Sequence, residues 1–178
     1  MKRLIKDIKD FEGNVVCIGV NDNKIMNVLN KNSSINLYEL SRQVSRNILS
    51  KRKRLKTNNG KSIKIKKFRK LFKKKSVDYL VINMDDIIDY KKFIASNSVY
   101  ICKNKIYVYG TLEYASISTI NRYFKRYSKN IEKIKVDDEY LFIIDVKDSK
   151  YSFVKEKFYI FIDTLYNIGD MVSYFLTS

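Results

Sequence analysis

The chain has 178 residues, 45% of them hydrophobic, with ten Phe and fourteen Tyr, enough apolar material for one ordinary domain with a sizeable core. It carries 36 Lys and Arg against 19 Asp and Glu, a net charge of +17, and it has no His, Pro or Trp. This composition excludes a wholly disordered chain, and the absence of His with only two Cys excludes a zinc centre or a His-based triad, so no metal is expected.

Residues 2–11 place Leu4, Ile5, Ile8 and Phe11 on one helical face, and Gly13 ends that pattern. They form no apolar leader, and no stretch approaches twenty apolar residues, so a soluble, cytoplasmic protein is expected. Residues 14–19 are a short apolar run, as expected of a strand buried on both faces in a parallel sheet. Asn21 or Asp22 can cap the helix that follows, whose apolar side is Ile25, Met26, Val28 and Leu29. A second strand is expected at 35–39, a helix at 40–49, a third strand at 63–65 and a stronger fourth at 78–83. A helix at 85–93 then leads to two apolar alternations, 98–102 and 105–109, with Lys103 and Asn104 between them as a hairpin turn. A helix at 116–127, antiparallel strands at 131–136 and 139–146, and a long C-terminal helix at 152–176, within which 158–162 also suit a strand, complete the pattern. Cys17 and Cys102 both sit in apolar runs and are expected to be small buried hydrophobes.

The charge is not spread evenly. Residues 40–77 contain sixteen basic side chains and no acidic one, which leaves 20 basic against 19 acidic residues in the rest of the chain. A lysine-rich coding bias would distribute lysine uniformly and does not produce such a block. Like charges at this density repel one another and are neutralised well by a polyanion. The residues expected to contact it are Lys51, Arg52, Lys53, Arg54, Lys66, Lys67, Arg69, Lys70, Lys73, Lys74 and Lys75, and RNA is the expected partner. Lys51 to Arg54 and Thr57 to Gly60 within the block have loop character. Phe68, Leu71 and Phe72 have helical spacing, so they can dock on the core, on RNA or, as a third reading, on an anionic membrane.

Alternation of helix and strand up to about residue 101 predicts an α/β fold with a doubly wound, mostly parallel, Rossmann-like sheet and antiparallel late strands. One domain over residues 1–178 is expected, with a basic insertion at about 41–77. In such sheets ligands sit beyond the carboxyl ends of the strands. Gly19 follows the first strand, with Asn21 and Asn23 after it, Glu39 ends the second, and Asn83 ends the fourth. Asp85, Asp86 and Asp89 suit the first turn of a helix better than a metal site. Tyr100, Tyr107, Tyr109, Tyr123 and Tyr127 are expected to pack rather than to stack bases.

In the order and spacing of Val15 to Gly19, Glu39, Asp78 and Asn83, the chain resembles the class I S-adenosylmethionine-dependent methyltransferases. The resemblance implies that Gly19, Asn21 and Asn23 border the methionine part of the cofactor, that Glu39 holds its ribose and that Asn83 faces the substrate. The chain also departs from the family. Cys17 stands near the acidic position, Asn21 and Asn23 replace later glycines, no acidic residue follows the third strand, and Met84 and Asp85 replace a proline-aromatic motif. The resemblance with these departures implies a methyltransferase-like RNA-binding domain with an altered cofactor site. The alternative is an active S-adenosylmethionine-dependent RNA methyltransferase.

Overall fold

The computed structural model describes residues 1–43, 54–57, 62–64, 71–85, 97–111, 117, 120–121, 124–125 and 127–147. The chain divides into two compact units, Met1–Asp148 and Ser149–Ser178, and all described residues belong to the first. The elements are α1 (Lys2–Ile8), β1 (Gly13–Ile18), α2 (Asn23–Lys31), β2 (Ile35–Gln43), β3 (Arg54–Thr57), β4 (Ser62–Lys64), β5 (Val77–Asn83), β6 (Cys102–Gly110), β7 (Ser128–Val136) and β8 (Glu139–Val146). Residues 97–101 are helical, as are 117, 120–121 and 124–125. The C-terminal helix expected at 152–176 and nearly all of that expected at 85–93 lie outside the described residues.

One eight-stranded sheet has the order β4-β3-β2-β1-β5-β6-β8-β7. Its core, β2-β1-β5-β6, is parallel, and β3, β4, β7 and β8 add antiparallel pairs at the two sides. The strand order runs outward from β1 through β2 on one side and from β5 through β6 on the other, so the switch lies between β1 and β5. This is the Rossmann-like fold with antiparallel late strands.

Apolar residues cover both faces, which is why β1 and β5 read as continuous hydrophobic runs. Against one face, Leu4, Ile8 and Phe11 from α1 and its end join Ile25 and Leu29 of α2 in packing on Val15, Cys17, Val81, Tyr107 and Ile143. The opposite face carries Val16, Ile18, Leu80, Ile82, Val108 and Phe142 beneath Val99, Ile101, Ile117, Ile120 and Phe124. Leu4 and Ile8, one turn apart, form the buried stripe of α1, and Phe11 stacks on Tyr79 at 4.1 Å between ring centres. Among the described residues no helix is long and apolar enough to cross a membrane.

Three expectations about individual elements are corrected. Residues 40–43 continue β2 instead of starting a helix, because Leu40 to Gln43 find a strand partner in Thr57 to Arg54. That partner, β3, lies where loop was expected at its two ends, and the third strand expected at 63–65 is β4, at Ser62–Lys64 and antiparallel to it. The hairpin at Lys103 and Asn104 does not form. Residues 97–101 are helical and bury Asn97, Ser98, Val99 and Ile101 together, while Cys102 opens a single strand through both residues of the expected turn.

The start of β1 is fixed to β5 by Asp78. Its Oδ2 accepts from the Asn14 N–H at 2.8 Å, and Asn14 Nδ2 donates to the Ser76 carbonyl at 3.0 Å. Gly13 lies against that carboxylate at φ +84°, where a Cβ has neither room nor a favoured backbone. Gly13→Ala is therefore expected to lower unfolding free energy by more than about 1 kcal/mol, measured by denaturant titration, with secondary structure retained.

Burial also holds protons on three acids. The Cys102 thiol is pushed from 9.0 up to about 12, chiefly by desolvation, and burial moves the Cys17 thiol and Tyr107 phenol in the same direction. A raised folded value means that the native state binds more protons at alkaline pH than the unfolded chain does. The resulting stability is whole below about pH 9 and is lost progressively as pH rises towards 12. Denaturant midpoints measured from pH 7 to 11 are expected to fall above pH 9, with a shallower fall in Cys102→Ala.

Candidate functional site

The switch between β1 and β5 brings the candidate cofactor residues together. Ile18 and Ile82 are register partners, so Gly19 and Asn83 leave the sheet side by side. Glu39 is the partner of Cys17, two residues before Gly19. Strand alternation gives Glu39, Cys17, Val81 and Asn83 the parity of the face on which α2 packs. Glu39 lies close enough that its charge adds to the upward shift of the Cys17 thiol, behind the larger effect of burial.

Gly19 has φ +63°, a conformation that permits the sharp turn from β1 into α2. Asn21 is exposed in that turn, and Asn23 is the exposed first residue of α2. Asp22 caps the helix: its Oδ1 accepts from Lys24 N at 2.7 Å and Ile25 N at 3.1 Å. Two amides of the first turn of α2, which would otherwise attract an anionic group, are thus already served by the chain's own carboxylate.

S-adenosylmethionine, which the family resemblance implies, carries a ribose diol and an amino-acid moiety. A partly exposed Glu39 beside the turn suits the diol, and Gly19 lets the backbone approach closely. The capped end of α2 does not favour the carboxylate of the methionine part. The residues therefore fit the nucleoside half of the cofactor better than the other half.

At the end of β5 a second set of contacts was not visible in the sequence. Met84 N donates to the Tyr109 carbonyl at 2.8 Å, which holds the exit of β5 against β6. Asn83 Oδ1 accepts from Asp85 N at 3.1 Å, and Asp85 Oδ2 accepts from Thr111 N at 3.0 Å and from its Oγ1 at 3.2 Å. Gly110 makes room for this carboxylate, since a Cβ there would lie 2.5 Å from Asp85 Oδ1. The signal for it, Gly110 and Thr111 after an apolar strand, is 26 residues from Asp85.

The basic residues divide between the two ends of the sheet. Arg54 is the partner of Gln43 on one side and of Lys64 on the other, and Lys56 is the partner of Ser41 and Ser62. Since Leu40 is level with Ile18, residues 41–43 and their partners stand beyond the carboxyl end of β1. Lys73, Lys74 and Lys75 precede β5 and stand at the opposite end. Lys75, at φ +55°, donates its N–H to the Tyr100 carbonyl at 3.1 Å and its Nζ to the Lys147 carbonyl at 3.3 Å. Lys51, Arg52, Lys53, Lys66, Lys67, Arg69 and Lys70 lie outside the described residues. Phe72 packs on the core and meets Tyr38 edge-on at 5.4 Å.

Two cavities lie away from the switch. One of about 430 Å³ runs between Met1 to Arg3 and the β7–β8 hairpin, and one of about 210 Å³ is lined by Arg3, Asp7, Phe11 and Tyr79.

No protein-family model matches the chain, and no curated protein sequence matches it. Among solved structures it is similar to a Plasmodium falciparum protein described as a ribosomal RNA methyltransferase, at 11% identity and a TM-score of 0.51, over 84% of this chain and 97% of that one. It is also similar to precorrin-6y C5,15-methyltransferase from Geobacter metallireducens, at 8% identity and a TM-score of 0.38, over 83% of this chain and 87% of that one. M. capricolum TrmK bound to S-adenosyl-homocysteine matches at 13% identity and a TM-score of 0.36, over 83% and 69% of the two chains. At such identities the likeness is one of architecture: the chain has a methyltransferase-like Rossmann fold.

Proposed function

We propose that this chain is a methyltransferase-like, cytoplasmic RNA-binding domain that grips the RNA backbone through its basic segment and whose cofactor site is altered. The observation that carries this reading is the overhang of β2. Its last residues pair with β3, and β3 with β4, so that Arg54, Lys56 and Lys64 hold same-face register positions, and Arg42 an opposite-face one, in an antiparallel ladder beyond the ligand end of β1. Such a patch stands where a polyanion passing the switch would run, and its charges have no acidic neighbour within residues 40–77. The altered cofactor site is supported by the single glycine of the turn and by Asp22, whose carboxylate occupies the helix end. Membrane attachment is the weaker reading because Phe72, one of its three apolar residues, is engaged with Tyr38 and the core.

A short fluorescent RNA is expected to bind with an affinity that falls steeply with salt. Fluorescence anisotropy should give a log–log slope of about −3 or steeper, since each neutralised single-strand phosphate contributes roughly −0.7. Replacing Lys51 to Arg54 by Gln should weaken binding and flatten that slope. The same change at Lys73 to Lys75 should do less, because Lys75 is tied to the Lys147 carbonyl. Binding that does not respond to salt, or no binding, sinks the reading.

Active methyl transfer is the second reading, favoured by the turn at Gly19 and the register of Glu39. A thermal-shift titration with S-adenosyl-homocysteine separates the two. A rise in melting temperature that Glu39→Ala abolishes supports an intact cofactor site, while no rise at millimolar ligand supports the altered one.

A further inference from the structure

The side chain of Asn83 has a fixed polarity. An amide can turn either its oxygen or its nitrogen towards a neighbour, and the choice is decided by the hydrogen bond that it makes. Here the neighbour is the backbone N–H of Asp85, which can only donate, so the atom facing it at 3.1 Å is Oδ1. The NH2 branch is therefore the one left for a ligand. Asn83 is partly exposed and stands beside Gly19 where the strand order reverses. Two residues on, Asp85 is exposed and held in place by Thr111, with its other oxygen above Gly110.

We infer that Asn83 and Asp85 make the end of β5 a reader of a nucleobase keto edge, with the Asn83 amide donating to a base carbonyl oxygen and the Asp85 carboxylate accepting from the adjacent ring N–H. Uracil and guanine carry that pair in that order. Cytosine and adenine present an amino donor beside a bare ring nitrogen and would meet donor with donor and acceptor with acceptor. An isolated phosphate would suit Asn83 but would be repelled by Asp85. The inference rests on the RNA reading, and it adds to it a base preference that the basic segment, which reads only backbone charge, does not supply.

Oligo(U) and oligo(C) of equal length test it, since the two bases differ at the edge in question and share charge and ring size. Anisotropy titrations at one low salt concentration should show the 178-residue chain binding oligo(U) roughly fivefold or more tightly than oligo(C). Asn83→Asp keeps an oxygen for the Asp85 N–H, so the turn and the melting temperature should survive, but it removes the donor. Its added charge weakens both oligomers alike, so the ratio is the readout, and it should fall to about one or below. Asn83→Ser, a neutral change, should also reduce it. Equal affinity of the unaltered protein for the two oligomers, or a ratio that survives Asn83→Asp, overturns the inference and leaves the RNA reading standing. Failure of both oligomers to bind overturns the RNA reading itself.

Discussion

β1 and β5 are each covered on both faces, and this burial governs where chemistry can be placed. Val15 to Ile18 and Leu80 to Ile82 are fully buried, so no polar side chain can be held between them without a partner, and none occurs. Their backbone groups are satisfied by parallel neighbours on each side. Polar function is pushed to the ends of the strands, and at the carboxyl ends the diverging strand order opens a crevice. Asp78 secures the opposite end by accepting from the Asn14 N–H, beside Gly13, which leaves room for the carboxylate. The Met84 to Tyr109 hydrogen bond and the Asp85 to Thr111 pair secure the crevice side.

Beyond that core, β2 overruns β1 by three residues, and the overrun changes the character of this side of the sheet. Strands added antiparallel to it need only short connections, so the basic segment can build sheet without a crossover helix. The same segment ends at the other pole of the molecule, where Lys75 is committed to the Lys147 carbonyl and Ser76 to the Lys73 carbonyl. Charge clustered in sequence is thus shared between a candidate RNA surface and a structural turn.

Much of the core was legible because burial on two faces leaves a strong imprint. The runs at 14–19 and 78–83, the Asp22 cap and the late antiparallel pair could all be read from local pattern. Patterns with two meanings were misread. Leu40, Val44 and Ile48 recur at helical spacing, yet Leu40 to Gln43 pair as strand because β3 is available to them. β3 itself has a single apolar residue, Leu55, and so no alternation to detect. Val99 and Ile101 suit a strand as well as a helix, and packing against the sheet decided the outcome. For the candidate site, Gly19, Glu39 and Asn83 could be named as neighbours because topology alone places these strand ends together. The Asp85 to Thr111 pair was not, since nothing local to either residue marks a partner 26 positions away.

The crevice has a polarity that bears on what can enter it. On the β2 and α2 side stand two carboxylates, Glu39 and Asp22, and on the β5 side stands an amide whose oxygen is taken by the Asp85 N–H. A phosphate placed in the crevice would be repelled by the carboxylates before it reached the amide. A nucleoside would not, because its hydroxyls donate to carboxylates and its base can offer an oxygen to Asn83. The proposed division of labour follows from this sign pattern: the phosphodiester chain lies along the basic β3–β4 strands outside, where its charge is welcome, and an uncharged nucleoside is the part that the crevice can accept. Salt should then act on the outer contact far more than on the inner one, because screening weakens pairs of exposed opposite charges far more than hydrogen bonds to an uncharged nucleoside.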